Sequence, residues 1–147
     1  MSTMQDNREA TMIGRRSDGT PVKRPLSPHL QVYDMMQMTS ALSISHRISG
    51  VVWTAGVVVM VWWLVAAASG AAAFGQVQWF LGSFLGILLL MGVTAAAWYH
   101  TLAGIRHLAW DYGWGYDIPT TYRTGRAVLI GTAVLTVLTW LALLLSW

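Results

Sequence analysis

The sequence predicts an all-α membrane protein with three transmembrane helices, a cytoplasmic N-terminus and a periplasmic C-terminus. Of its 147 residues, 55% are hydrophobic and only 10% are charged, which is too apolar for an ordinary soluble domain. No Asp, Glu, Lys or Arg occurs between Arg47 and Arg106, or after Arg126. Because a membrane-spanning helix needs about 20 apolar residues, we place the spans in these two uncharged stretches.

The first uncharged stretch is long enough for two helices. Small and polar residues interrupt it between Gly70 and Gln78, where we expect a connection on the side of the membrane opposite the charged loops. The rise of a helix per residue and the thickness of the bilayer then predict spans at about Ile48–Ala68, at Trp79–Leu102 with a cytoplasmic extension to residue 110, and at Ala127–Trp147.

Charge placement predicts the orientation of these spans. The basic residues lie either before the first span or between the second and third: Arg8, Arg15, Arg16, Lys23, Arg24, Arg47, Arg106, Arg123 and Arg126. By the positive-inside rule both regions are cytoplasmic. The N-terminal residues resemble neither a secretory signal nor a transit peptide, so a multi-pass protein of a bacterial inner membrane fits best. We therefore divide the chain into a flexible polar segment (1–23), a region with the first two spans and the cytoplasmic loop (24–126), and the third span (127–147).

Composition also excludes several kinds of site. The formal charge of +3 follows from the loop bias, and the basic residues are not interleaved with stacking aromatics, so we predict no nucleic-acid binding. The absence of cysteine excludes disulfides, a thiolate haem ligand and iron–sulfur ligation by this chain. Any redox role must use another cofactor.

His100 is the most informative residue, because an imidazole in an apolar span is costly unless a metal, a cofactor or a partner binds it. His107 lies two helical turns later on nearly the same face, and Gly104 removes a side chain between them. An imidazole ligand, a glycine where the macrocycle crosses and a cation such as Arg106 near the aqueous end suit a haem b. The alternatives are that His100 hydrogen-bonds to a neighbouring helix and that Arg106 and His107 are interfacial side chains.

A second polar cluster precedes the first span. In a helix, Ser43, His46 and Arg47 lie on one face, at the same cytoplasmic depth as His107. Their hydroxyl, imidazole and guanidinium can hydrogen-bond a quinone carbonyl, supply a proton to a reduced quinone or pair with a carboxylate. On residue type alone, a helix cap at Ser43 and an interfacial anchor at Arg47 are the better explanation, and spacing leaves both open.

Three motifs, in this order, resemble a known family: Arg24–Leu30, Ser43–Gly50 and His100–Asp111. They are similar to the cytochrome b subunits of succinate dehydrogenase, the larger membrane anchors of respiratory complex II. The resemblance covers about residues 24–118 and implies a three-helix anchor in the lipid bilayer, bundled with a second membrane-anchor subunit. It also implies a flavoprotein subunit and an iron–sulfur subunit, which hold the FAD and the iron–sulfur clusters. Electrons from succinate then reach a quinone, and the anchor alone is inactive toward succinate.

The resemblance assigns roles to individual residues. His100 corresponds to the axial ligand of one haem b shared with the partner anchor, which supplies the opposite histidine. Ser43 and Arg47 correspond to quinone-binding residues. This haem is expected to store electrons rather than bind oxygen, because two imidazoles leave no open iron position.

The remaining predicted residues belong to the haem environment. By the resemblance, His46 and His107 correspond to positions near the haem propionates. Gly104 and Arg106 join them on the spacing argument given above. No residue of this chain is assigned to succinate oxidation.

Other classes fit less well. A di-haem cytochrome b needs four histidine ligands at two membrane depths, whereas only His100 lies deep in a span and His29 precedes every span. A purely structural anchor of the same complex would use His100 for helix packing alone, and a quinol:fumarate reductase anchor would share the same design. A small transporter would call for an inverted repeat or a broken helix pair, and the sequence shows neither.

Overall fold

The computed structural model describes residues 13–23 and 34–146. The described residues belong to two compact units, Met1–Met36 and Gln37–Trp147. The motif at Arg24–Leu30, which includes His29, lies outside the described residues.

The first unit contains a short β-hairpin that the sequence did not predict. Strands β1 (Ile13–Arg15) and β2 (Pro21–Lys23) pair antiparallel, with Ile13 opposite Lys23. In the turn, the Asp18 carboxylate accepts hydrogen bonds from the backbone and hydroxyl of Thr20, at 2.9 and 2.6 Å. This local bonding favours a turn over a helix at Asp18.

The second unit is built from four helices: α1 (Met38–Ser69), α2 (Ala71–Leu81), α3 (Phe84–Asp111) and α4 (Ile118–Leu145). Among the described residues, three of them, α1, α3 and α4, are long and apolar enough to cross a membrane. The predicted number of spans is therefore confirmed by length and composition. At about 1.5 Å per residue each is longer than the hydrocarbon core, so its polar end can reach the interface.

Helix α1 begins ten residues before the predicted start at Ile48. Its N-cap is Gln37, so Ser43 and Arg47 are interior helical residues and Ser43 is not a cap. The prediction began the span after the last charged residue, whereas the backbone hydrogen bonds of the helix continue through Arg47. The predicted polar cluster is thus part of the first long helix.

The predicted connection between Gly70 and Gln78 is nearly all helical. Only Gly70 leaves the helical conformation, with φ 119°, a value that favours glycine. The alanine-rich residues that follow form α2, which packs back on α1 through an aromatic contact of Trp63 with Phe74. The second span therefore starts at Phe84, after the cap at Ser83, and not at Trp79.

Helix α4 also begins earlier than predicted, at Ile118 instead of Ala127. Asp117 caps it by accepting a hydrogen bond from the backbone N–H of Thr120 at 2.9 Å, and Pro119 occupies the first turn. These start signals precede the apolar run, which is why a hydropathy criterion misses them. The loop between α3 and α4 is correspondingly short.

The core of this unit lies near the end of the bundle where α1 begins. Leu42, Tyr99, Ala103 and Val128 form a buried cluster that joins α1, α3 and α4. Glycine permits the close approach of α1 to α4, because a Cβ atom on Gly125 would lie 2.6 Å from Cδ1 of Leu42. Most other apolar side chains of the spans face outward, as expected for contact with lipid or with another helix.

Candidate functional site

Three imidazole rings meet between α1 and α3. The ring of His46 lies between those of His100 and His107, with centroid distances of 4.3 and 5.0 Å. The planes of His46 and His107 are inclined by only 22°. The structure therefore brings together three of the predicted site residues.

Hydrogen bonding orients the His100 ring. Its Nδ1 atom lies 3.1 Å from the backbone oxygen of His46 and 3.4 Å from Oγ of Ser49. Ser49 is buried and donates its own hydroxyl hydrogen to the same His46 oxygen, at 2.8 Å. Since a carbonyl only accepts, the contact to His46 is a hydrogen bond when the proton is on Nδ1. Nε2 then keeps its lone pair, which is the form in which histidine binds a metal.

Gly50 makes room for this ring and was not singled out from the sequence. A Cβ atom at Gly50 would lie 3.0 Å from Cε1 and 3.3 Å from Nδ1 of His100. The imidazole therefore rests against the α1 backbone one turn after His46. The spacing from His46 to Gly50 is a helical i, i+4 signal that could have identified it.

A buried nitrogen of the cluster has no hydrogen-bond partner among the described residues. Nε2 of His46 is buried from solvent and makes no hydrogen bond. At Gly104, by contrast, an added Cβ atom would meet nothing within 4 Å, so this part of α3 is open to a neighbour. Within residues 13–23 and 34–146, no group of three or more His, Cys, Asp or Glu residues has the geometry to hold a metal ion by itself.

A small cavity of about 60 Å³, with both polar and apolar walls, lies beside the histidine cluster, between α1, α3 and α4. It is lined by Thr39, Leu42, Ser43, Tyr99, Ala103, Arg106, His107, Trp110 and Val128. Its volume is enough for a few water molecules but not for a quinone ring. Ser43 is in this wall, whereas Arg47, the other predicted quinone residue, is exposed on α1 and does not line it.

Arg106 faces α4 in this arrangement. Its Nε donates to Oγ1 of Thr124 and its Nη2 to the backbone oxygen of Thr121, each at 3.0 Å. The guanidinium carbon also lies 4.0 Å from the centroid of the Trp110 ring. Arg106 thus joins α3 to the first turns of α4, a role that the sequence did not predict.

Comparison with known proteins agrees with the predicted family. Residues 20–139 match the family described as the succinate dehydrogenase/fumarate reductase transmembrane subunit. A succinate dehydrogenase cytochrome b556 subunit from Paracoccus denitrificans is 46% identical over 116 residues, which cover 79% of this chain and 88% of the relative.

More distant relatives extend the same result. The cytochrome b556 subunit of Rickettsia conorii is 39% identical over 119 residues, covering 80% of this chain and 91% of the relative. The mitochondrial cytochrome b560 subunit of Bos taurus is 35% identical over 122 residues, covering 80% and 70%. The match to the family over most of the chain, on a fold with three apolar helices of spanning length, shows that the chain belongs to the succinate dehydrogenase/fumarate reductase transmembrane subunits.

Proposed function

We propose that this chain is a membrane anchor of succinate:quinone oxidoreductase, that His100 is an axial ligand of a haem b, and that Ser43 and Arg47 take part in quinone reduction. Family membership and the three apolar helices support the anchor role. The observation that supports the ligand role is the 3.1 Å contact between His100 Nδ1 and the His46 oxygen. Metal-ligating histidines usually donate their second ring nitrogen in this way.

The residues of the site fit a haem. A porphyrin supplies four ligands to its iron, so the protein needs to offer only one imidazole on each side. This chain offers His100 for one side, and a histidine of a second membrane-anchor subunit would supply the other. The buried Nε2 of His46 can donate to a propionate oxygen, as can His107, and the open surface at Gly104 allows a flat group to approach α3. When bound, the haem supplies a one-electron store next to the site of quinone reduction.

The quinone role assigned to Ser43 and Arg47 is supported by their placement. They are one turn apart on α1, so both can donate hydrogen bonds to a carbonyl oxygen at the same depth. Ser43 borders the small cavity, which has room for ordered water, and Arg47 extends from the exposed side of α1. We infer that the quinone ring binds on that exposed side, between this chain and partner subunits, because the cavity is too small for it.

The remaining parts of the proposal concern the assembly. A flavoprotein subunit with FAD and an iron–sulfur subunit would sit on the cytoplasmic side, where the positive-inside rule places the start of α1 and the end of α3. The membrane would be a bacterial inner membrane, as the Paracoccus and Rickettsia relatives make plausible. The long exposed apolar faces of α1, α3 and α4 are suited to lipid and to the second anchor.

The first test is a dithionite-reduced minus oxidised absorption spectrum of the purified complex. We expect a low-spin b-type spectrum in the wild type and its loss, or conversion to high spin, in His100→Ala. Thr101→Ala is a matched control, because Thr101 is exposed on the same helix and its hydroxyl bonds only to the Ala97 oxygen. His100→Leu, which fills the space of the imidazole but cannot bind iron, serves if the alanine variant does not assemble.

Two results would contradict the haem assignment. An unchanged spectrum in an assembled His100 variant would place the iron ligand elsewhere. A wild-type complex without any b-type spectrum would leave a purely structural anchor, in which His100 serves helix packing.

The quinone role has a separate test. Arg47→Ala should impair quinone reduction by the complex while sparing succinate oxidation measured with a soluble dye. Arg126→Ala, which removes an exposed arginine of α4, is the control and should preserve both rates. Equal loss of both activities in Arg47→Ala would argue for a general defect in assembly.

A further inference from the structure

Two consecutive residues of α3 reach carbonyl oxygens one turn apart on α1. The hydroxyl of Tyr99 donates to the backbone oxygen of Leu42 at 2.9 Å. Nδ1 of His100 lies 3.1 Å from the backbone oxygen of His46. The two contacts flank one turn of α1, so they act on the same pair of helix surfaces.

Of the two residues, Tyr99 is the more deeply buried. Its side chain is 8% exposed and belongs to the core cluster with Leu42, Ala103 and Val128. Its hydroxyl is buried beside the small cavity, and the Leu42 oxygen accepts its hydrogen bond. A buried hydroxyl that loses its partner is unfavourable, which makes this contact resistant to sliding of the helices.

We infer that Tyr99 is a positioning residue for His100, setting the height and rotation of α3 against α1 so that Nδ1 meets the His46 oxygen. This inference rests on the proposed role of His100 as a haem ligand. A slide of α3 by a single residue would move His100 by about 1.5 Å along α1, enough to break a hydrogen bond. The Tyr99 hydroxyl opposes that slide from the adjacent face of α3.

The hydrogen bond from His100 to the His46 oxygen affects how strongly His100 would bind iron. An N–H···O=C bond at Nδ1 raises the basicity of the other ring nitrogen, which favours ferric over ferrous iron. If the bond to His46 lengthens, this preference weakens and the midpoint potential of the haem rises. Packing alone, without an effect on the imidazole, would not move the potential.

The test is Tyr99→Phe in the assembled complex, which removes one oxygen and keeps the ring in the core. We expect the variant to retain its haem, with a midpoint potential higher than that of the wild type and a shifted low-field g value of the ferric haem in electron paramagnetic resonance. Tyr112→Phe is the matched control, because Tyr112 follows the same helix and is 82% exposed. Its potential and g values should equal those of the wild type.

Each other outcome overturns the inference. Unchanged potential and g values in a haem-loaded Tyr99→Phe complex would reject the positioning role while leaving His100 as ligand. Lower thermal stability or haem content with an unchanged potential would reduce Tyr99 to a packing residue. If the wild-type complex has no b-type spectrum, the proposed function itself fails, and the inference fails with it.

Discussion

The imidazole of His100 rests directly on the backbone of Gly50, where an added Cβ atom would lie 3.0 Å from its Cε1 atom. A side chain at this position would therefore be closer to the ring than ordinary van der Waals packing allows. The ring cannot withdraw freely, because its Nδ1 atom is also within hydrogen-bonding distance of His46 and Ser49. Gly50 and the two α1 acceptors therefore define the position of the imidazole together.

Gly50→Ala should disturb the histidine site without unfolding the helix. The new methyl group would push His100 by a few tenths of an ångström and lengthen its bond to the His46 oxygen, while alanine itself favours a helix by about 1 kcal/mol. We expect a smaller haem content or a high-spin fraction in the absorption spectrum of the purified complex. Gly92→Ala on α3, where a Cβ atom meets nothing within 4 Å, should leave the spectrum unchanged. If Gly50→Ala gives the same spectrum as Gly92→Ala, a methyl group at position 50 does not displace the His100 ring.

Gly125→Ala should weaken the packing of α4 on α1. The added Cβ atom would lie 2.6 Å from Cδ1 of Leu42 and 2.7 Å from Cε of Met38. Overpacking of this kind costs about 1–3 kcal/mol, partly offset by the better helix propensity of alanine. We expect a lower thermal unfolding temperature of the complex. Gly75→Ala on α2 is the control, because its Cβ position is open, and it should be neutral or stabilising. If Gly125→Ala is also neutral or stabilising, the close packing of α4 on α1 at Gly125 is contradicted.

Arg106→Lys should loosen the junction of α3 and α4. A lysine ammonium cannot reproduce the two bonds to Thr124 and Thr121 together with stacking on Trp110. Because the side chain is partly exposed, we expect a loss near the lower end for such bonds, about 1 kcal/mol. The measurement is thermal unfolding of the purified complex, with Arg126→Lys as control. If the unfolding temperature of Arg106→Lys falls no further than that of the control, these contacts of Arg106 do not stabilise the junction.

Asp117 makes the start of α4 sensitive to acid. Hydrogen bonds from the side chain and backbone of Thr120 hold the pKa of the Asp117 carboxyl below its ordinary value of 3.8. A group whose pKa is lowered by folding stabilises the fold above its unfolded pKa, and this stabilisation is lost as the pH falls through the folded pKa. Asp117→Ala should therefore raise amide hydrogen exchange in the first turn of α4 at neutral pH, and its difference from the wild type should shrink below pH about 4.

Asp117→Asn separates the cap from its charge. Asparagine also caps helices well, so this variant should protect the first turn of α4 at all pH values and lose the acid dependence. A wild-type exchange rate that is independent of pH, after correction for intrinsic exchange, would show that the carboxylate does not stabilise this turn.

Helix boundaries show where sequence reasoning reached its limit. The number of spans followed from the uncharged stretches, because burying a charge in hydrocarbon is costly whatever the packing. The start of α1 at Met38 did not follow, since the helix extends from Arg47 back to Met38 through polar residues that a hydropathy criterion leaves out. The sequence does not predict helix α2, because its small residues are typical of a connection, although the described chain leaves the helical conformation there only at Gly70.

By itself, the sequence determined the membrane class, the span count and the family, since apolar length, charge-free runs and motif order are properties of the linear chain. Helical periodicity also indicated that His46 and His107 would share a depth and that His100 would project from nearly the same face as His107. Only the tertiary structure decided that His100 rests on Gly50, that Tyr99 reaches Leu42 and that Arg106 turns toward α4. These contacts depend on the height and rotation of one helix against another, which are set by the packing of residues far apart in the chain.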